Sequence, residues 1–128
     1  MAYNVLIVDD SQVTRRVIRK TVAISGFDLG ECWEAGNGRE ALDVVNTHWV
    51  DLILTDLNMP VMNGLEMLSE LRKNEQSRDI PVVLITTEGS ETRLEEAYAL
   101  GVKAYIHKPF HPEAIRDVLV RIMEGKHA

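Results

Sequence analysis

Apolar residues come in short unbroken blocks, separated by stretches in which they recur every three or four positions, and the two patterns alternate along the chain. Residues 3–8 (YNVLIV), 52–55 (LILT) and 82–86 (VVLIT) are strand-length apolar runs, the pattern of a strand covered on both faces. Residues 29–34 form a weaker run and 104–106 a short one. Between these runs the period lengthens. Over residues 11–25, Val13, Val17, Ile18, Thr21 and Ile24 are expected on one helix face, with Arg15, Arg16, Arg19 and Lys20 opposite. Residues 38–47, 64–73 and 91–100 suit further short helices. Over 113–123, Ala114, Ile115, Val118, Leu119 and Ile122 form a stripe, and Pro112 suits the first turn.

Strand and helix thus alternate five times. Parallel strands need crossover connections, so this order predicts an α/β fold with a five-stranded parallel sheet and helices on both faces. Right-handed crossovers narrow the topology to a flavodoxin-like (βα)5 arrangement with strand order 2-1-3-4-5. No linker or repeat interrupts residues 1–128, which are expected to form a single domain. In such folds the working edge lies at the carboxyl ends of the strands, beside the switch point between strands 1 and 3.

Composition narrows the function classes. Hydrophobic residues make up 45% and charged residues 27% of the 128, enough for a packed core without a disulfide or structural metal. Acidic residues number 20 against 14 basic ones, a net charge of −6 that argues against direct nucleic-acid binding. No apolar run approaches the roughly 20 residues of a membrane helix. Met1-Ala2-Tyr3-Asn4 lacks the cationic opening of a secretory leader, so the expected address is the cytoplasm. Cys32, the single cysteine, can form neither an internal disulfide nor a multi-cysteine metal site.

The chemistry collects at the strand ends. The first strand runs into Asp9-Asp10, the third into Asp56, the fourth ends at Thr86-Thr87 and the fifth leads to Lys108-Pro109. Polar strand ends are ordinary one at a time, because loops are polar; carboxylates, a hydroxyl and an ammonium converging on one rim are not. Clustered carboxylates repel unless a cation neutralises them. Oxygen ligands with room for water suit Mg2+, with Mn2+ or Ca2+ as substitutes. Asp9, Asp10 and Asp56 are the side-chain candidates, joined by a backbone carbonyl near Asn58. Magnesium beside an aspartate that faces a lysine suits phosphoryl transfer, in which the carboxylate attacks to form an acyl phosphate.

Asp9-Asp10, the stretch Asp56-Leu57-Asn58-Met59-Pro60-Val61-Met62-Asn63-Gly64, Thr86, and Tyr105-Ile106-His107-Lys108-Pro109-Phe110 resemble the receiver domain of two-component response regulators. The resemblance spans essentially the whole chain and is strongest to stand-alone chemotaxis regulators of the CheY type. Such regulators are themselves a standard instance of the 2-1-3-4-5 order, so topology and resemblance are one expectation rather than two. The resemblance implies that Asp56 is the phosphoacceptor, served by a histidine kinase, a phosphotransfer domain or a small donor such as acetyl phosphate. It implies that Asp10, Asp56 and the carbonyl of Asn58 ligate Mg2+ directly, with Asp9 acting partly through water. Lys108 would contact the phosphate and Thr86 would swing toward it. Tyr105 would then move inward, coupling the site to the face of helix 4, strand 5 and helix 5. Asn58 and Glu88 occupy positions that influence phosphoryl lifetime in receivers. The output is expected to be protein binding in signal transduction, with the flagellar switch as one candidate partner, by a monomer that could dimerise on activation.

Other classes fit the same residues less well. An aspartate-nucleophile phosphatase needs a second aspartate two positions after its nucleophile, and Asp10 is followed by Ser11-Gln12. A flavin binder needs a neutral phosphate loop after the first strand, where this chain has two carboxylates. A phosphorelay shuttle, or the receiver piece of a larger regulator, stays open; the ending Gly125-Lys126-His127-Ala128, with no linker, favours a single-domain protein. Outside the rim, the basic residues of the first helix are expected to be a solvated face that can dock the phosphodonor, His107 a tolerated strand residue, and His48 and Trp49 packing residues. Gly36-Asn37-Gly38 and Asn63-Gly64 are expected to supply turn chemistry at helix entrances.

Overall fold

The computed structural model describes residues 2–123. Its elements follow in strict alternation: β1 (Tyr3–Val8), α1 (Gln12–Ile24), β2 (Leu29–Ala35), α2 (Gly38–Thr47), β3 (Leu52–Thr55), α3 (Gly64–Lys73), β4 (Val82–Thr86), α4 (Glu91–Ala99), β5 (Ala104–His107) and α5 (Pro112–Met123). All adjacent strands pair in parallel, in the order β2-β1-β3-β4-β5. The flavodoxin-like expectation is met, including its reversal of strand order between β1 and β3.

Continuous apolar strands follow from burial on both faces of the sheet. Successive side chains of a strand point to opposite sides. Val5 and Ile7 therefore join Leu52, Leu54, Val83 and Ile85 in a layer with Ile18 and Val22 of α1 and Ile115 and Leu119 of α5. Leu6 and Val8 join Ile53, Val82 and Leu84 in the opposite layer, with Ala41 of α2, Met67, Leu68 and Leu71 of α3, and Ala97 of α4.

The first helix departs from expectation. Ile18 and Val22 face the sheet, whereas Val13, Val17 and Ile24 are 69%, 53% and 66% exposed. At 100° per residue, Val13, Val17 and Ile24 share one stripe, and Ile18 and Val22 lie on another about 140–180° from Val13. The helix carries two apolar stripes, and only contact with the sheet decides which is core. The basic residues are not uniformly solvated either: Arg15 is half-buried, donating to Glu34 of β2 at 3.0 Å, and Arg19 reaches the same carboxylate at 3.2 Å. Trp49 also departs from its expected packing role; it is 76% exposed, its indole donating to Asp51, while His48 does pack on Trp33.

Helix entrances are set by side chains from just outside each helix. Ser11, Asn37, Asn63 and Ser90 each accept a hydrogen bond from the backbone of the first turn. Asn63 and Glu66 form a reciprocal capping box at α3. Gly64, next in line, is required by space: a Cβ there would stand 2.5 Å from the carbonyl oxygen of Asp56 and 2.9 Å from Leu57 Cα. The start of α3 is thus pressed against the residue at the end of β3.

Candidate functional site

Register builds the site. Val8 of β1 is level with Thr55 of β3, so the next residues, Asp9 and Asp56, leave the sheet side by side. Their amides are tied to neighbouring strands, Asp9 to the carbonyl of Ala35 at 3.1 Å and Asp56 to that of Val8 at 3.0 Å. Thr86 is level with His107, and the Lys108 amide donates to the Thr86 carbonyl at 3.0 Å. Four residues distant in sequence therefore emerge on one edge.

Asp56 stands at the centre. Its Oδ2 accepts from Lys108 Nζ at 3.0 Å, and its Oδ1 accepts from Thr86 Oγ1 at 2.5 Å and from the Leu57 amide at 2.6 Å. The Asn58 amide lies 3.4 Å from the same Oδ1. Lys108 Nζ also donates to Asp9 Oδ2 at 2.7 Å, bridging the two carboxylates. Asp9 is only 2% exposed; its Oδ2 faces that ammonium and its Oδ1 accepts from the Ser11 amide at 2.9 Å. Burial works against the charge on Lys108, but the hydrogen bonds and charges of Asp9 and Asp56 outweigh it and hold its pKa above the usual lysine value.

Asp10 stands exposed at the rim. Among the described residues no group of three or more His, Cys, Asp or Glu side chains is close enough to share a metal ion. The carboxylates that do meet, Asp9 and Asp56, offer only oxygen ligands, and a hard cation such as Mg2+ accepts one or two carboxylates completed by water.

Thr86 is fully buried and within hydrogen-bond reach of Asp56. It also accepts from the Glu88 amide at 3.1 Å. Half-buried Tyr105 packs against the layer containing Leu84 and Ala97 and donates from its hydroxyl to the Glu88 carbonyl at 2.9 Å. Burial and the nearby Glu88 and Tyr98 push the Tyr105 hydroxyl pKa upward, keeping it a donor. The ring of exposed His107 meets Tyr105 edge-on at 6.0 Å.

Two further residues reach the site without a sequence signal. Arg15 Nη1 donates to the carbonyl of Asp9 at 2.6 Å. Arg93, in the first turn of α4, donates from Nη1 to Asn58 Oδ1 at 2.6 Å and pairs with Glu88 Oε1 at 3.2 Å. Both act across elements, and no spacing along the chain marks such a contact.

An acidic pair bridged by a lysine, with a hydroxyl on the central carboxylate, thus lies at the carboxyl edge of a 2-1-3-4-5 sheet. The chain belongs to the response regulator receiver domain family, whose model matches residues 5–120. A chemotaxis protein CheY homolog of Campylobacter jejuni is 38% identical over 119 residues, covering 92% of this chain and 90% of that protein. The chemotaxis response regulator CheY4 of Vibrio cholerae superposes with a TM-score of 0.83 at 35% identity, covering 95% of this chain and 99% of that one. The receiver domain of sensor histidine kinase PA1611 from Pseudomonas aeruginosa, solved with magnesium coordinated in its active site cleft, superposes at 0.82 with 25% identity, covering 94% and 97%.

Proposed function

We propose that this chain is a phosphorylation-dependent signalling switch, in which Asp56 accepts a phosphoryl group from a histidine kinase, a phosphotransfer domain or acetyl phosphate. The observation that carries the reading is the arrangement about Asp56: Lys108 on one oxygen and Thr86 on the other, with Asp9 sharing the lysine. In the transfer, an Asp56 oxygen forms the new P–O bond. The donor's bond to phosphorus breaks, and its electron pair leaves with acetate or the imidazole of a phosphohistidine.

Lys108 is placed to neutralise charge on the phosphoryl oxygens, and the Thr86 hydroxyl and Leu57 amide are placed to donate to them. Asp10, Asp56 and the carbonyl of Asn58 would hold Mg2+, with Asp9 acting partly through water. When bound, the ion offsets negative charge among the carboxylates and the incoming phosphoryl group. Tyr105 couples the site to the α4–β5–α5 face, because its hydroxyl is tied to the same loop that Thr86 anchors. A phosphoryl group shifts that loop only by interacting differently with its alternative positions.

The exposed stripe of Val13, Val17 and Ile24 on α1, just after Asp9-Asp10, suits docking of the phosphodonor. Likeness to chemotaxis proteins favours a cytoplasmic chemotaxis role, with a protein such as the flagellar switch reading the output. No described helix is long and apolar enough to cross a membrane. The protein turns over no external substrate; it assists its own phosphorylation and dephosphorylation.

Incubation with Mg2+ and acetyl phosphate, followed by intact mass spectrometry, tests the reading. A mass gain of one phosphoryl group, lost in Asp56→Asn and with EDTA, is the expected result. No adduct in the wild-type chain overturns it. Steady hydrolysis of p-nitrophenyl phosphate would favour the phosphatase alternative instead.

A further inference from the structure

Five residues form a closed ring, of four hydrogen bonds and one ion pair, on one side of the acceptor. From Asp56 Oδ1 the ring runs to Thr86 Oγ1 at 2.5 Å, and Thr86 Oγ1 accepts from the Glu88 amide at 3.1 Å. The Glu88 carboxylate meets Arg93 Nη1 at 3.2 Å, and the same nitrogen donates to Asn58 Oδ1 at 2.6 Å. The Asn58 amide, 3.4 Å from Asp56 Oδ1, closes the ring. Arg93 is the only member contributed by a helix, since α4 begins at Glu91. Its side chain is 31% exposed, that of Glu88 17%, and Asn58 is exposed, so the link lies at the outer edge of the site.

We infer that Arg93 is a positioning residue that holds Asn58 and Glu88 together across the mouth of the Asp56 site and thereby limits the access of water to a phosphoryl group there. The inference rests on the reading of Asp56 as phosphoacceptor and deepens it. In the step controlled, a water oxygen attacks phosphorus and forms a P–O bond. The bond from phosphorus to the Asp56 oxygen breaks, the carboxylate keeps the electron pair, and the water proton leaves to solvent as inorganic phosphate is released. With the link intact, the β3–α3 and β4–α4 loops are tied to each other; cut, each side chain is free to turn outward. Charge matters as well as reach. Glu88 carries the only carboxylate in the ring besides Asp56, and Arg93 pairs with it at a site where repulsion between the two acids would otherwise splay the loops.

The test is the decay of the phosphorylated chain after acetyl phosphate is removed, followed by intact mass. Arg93→Leu, which keeps bulk and loses every donor, should accelerate decay on the order of 5-fold, the change made by about 1 kcal/mol at the transition state. Arg93→Lys should restore slow decay, because one ammonium can serve both acceptors as Nη1 does. In an Asn58→Ala/Glu88→Ala background, Arg93→Leu should have no further effect, since the groups it positions are gone. Decay of Arg93→Leu at the wild-type rate overturns the inference and leaves the acceptor reading standing, as does an undiminished acceleration in the double-alanine background. A wild-type chain that takes up no phosphoryl group overturns the acceptor reading and the inference with it.

Discussion

Lys108 and Asp9 stand 99 positions apart in the chain and 2.7 Å apart in the fold. The lysine follows the last strand and the aspartate the first, yet β1 and β5 are not neighbours: β3 and β4 lie between them. The long lysine side chain spans that interval, passing Asp56 at 3.0 Å on the way. One ammonium thus serves two carboxylates, and the electrostatics of the whole edge depend on it.

Lys108 contributes to stability with a defined pH dependence. Its folded pKa is raised above the unfolded value of 10.5, so the contribution is fully present below pH 10.5 and is lost as pH climbs through the higher folded value. Urea unfolding from pH 8 upward should show the wild-type advantage over Lys108→Met shrinking past that point. At neutral pH the variant should lose about 2 kcal/mol, because Asp9 is left buried without its partner while solvent screens part of the effect. A constant difference across the range would refute the linkage.

Adjacent residues of α1 should behave oppositely. Ile18→Ala opens a cavity against the sheet and should cost about 2–4 kcal/mol in urea unfolding. Val17→Thr changes an exposed position and should stay within roughly 0.5 kcal/mol of wild type. If Asp56 is the acceptor, Val17→Thr should also leave phosphorylation by acetyl phosphate unchanged while slowing transfer from a cognate kinase, which a coupled transfer assay would read.

The loop after Asp56 holds one strained residue. Val61 has φ of +66° and is 82% exposed, an unfavourable conformation for a β-branched side chain that buries little in return. Val61→Asn should raise stability by about 1 kcal/mol, since asparagine tolerates the left-handed region and no core contact is lost. A lower melting temperature for the variant would show that Val61 makes a compensating interaction.

Gly64→Ala probes the contact between α3 and Asp56. The added Cβ would meet backbone on two sides, at 2.5 and 2.9 Å, and backbone cannot rotate away. About 1–3 kcal/mol of stability should be lost, with acceptance of phosphate slowed because the acceptor loop must shift. Normal stability together with normal phosphorylation kinetics would mean the helix start yields without moving Asp56.

Thr86→Ala removes the hydroxyl on Asp56 Oδ1 and the acceptor of the Glu88 amide together. Phosphorylation at Asp56 should persist while the accompanying change around Tyr105, followed by Tyr105 ring resonances in NMR, is lost. An unchanged Tyr105 response in this variant would remove Thr86 from the coupling route.

The alternation of apolar blocks with helical periods, and the polar residue types at strand ends, are local properties, and from them the five βα units, the parallel sheet and the candidates Asp9, Asp56, Thr86 and Lys108 were legible. Each strand's two-sided burial is written into its composition, because a side chain needs an apolar partner on either face. The tertiary structure decided what depends on where a face points and how far a side chain reaches. Helix α1 has two apolar stripes, and only its seating on β1 and α5 made Ile18 and Val22 core and left Val13 and Val17 outside. Asp9 and Asp10 are adjacent and chemically alike, yet the strand's alternation buries the first against Lys108 and turns the second to solvent. Arg93 joins Asn58 and Glu88 through contacts made between separate elements, over 35 positions in one case. Periodicity reports which residues could share a surface; contact across elements depends on strand register and helix rotation, which are set only when the whole sheet is packed.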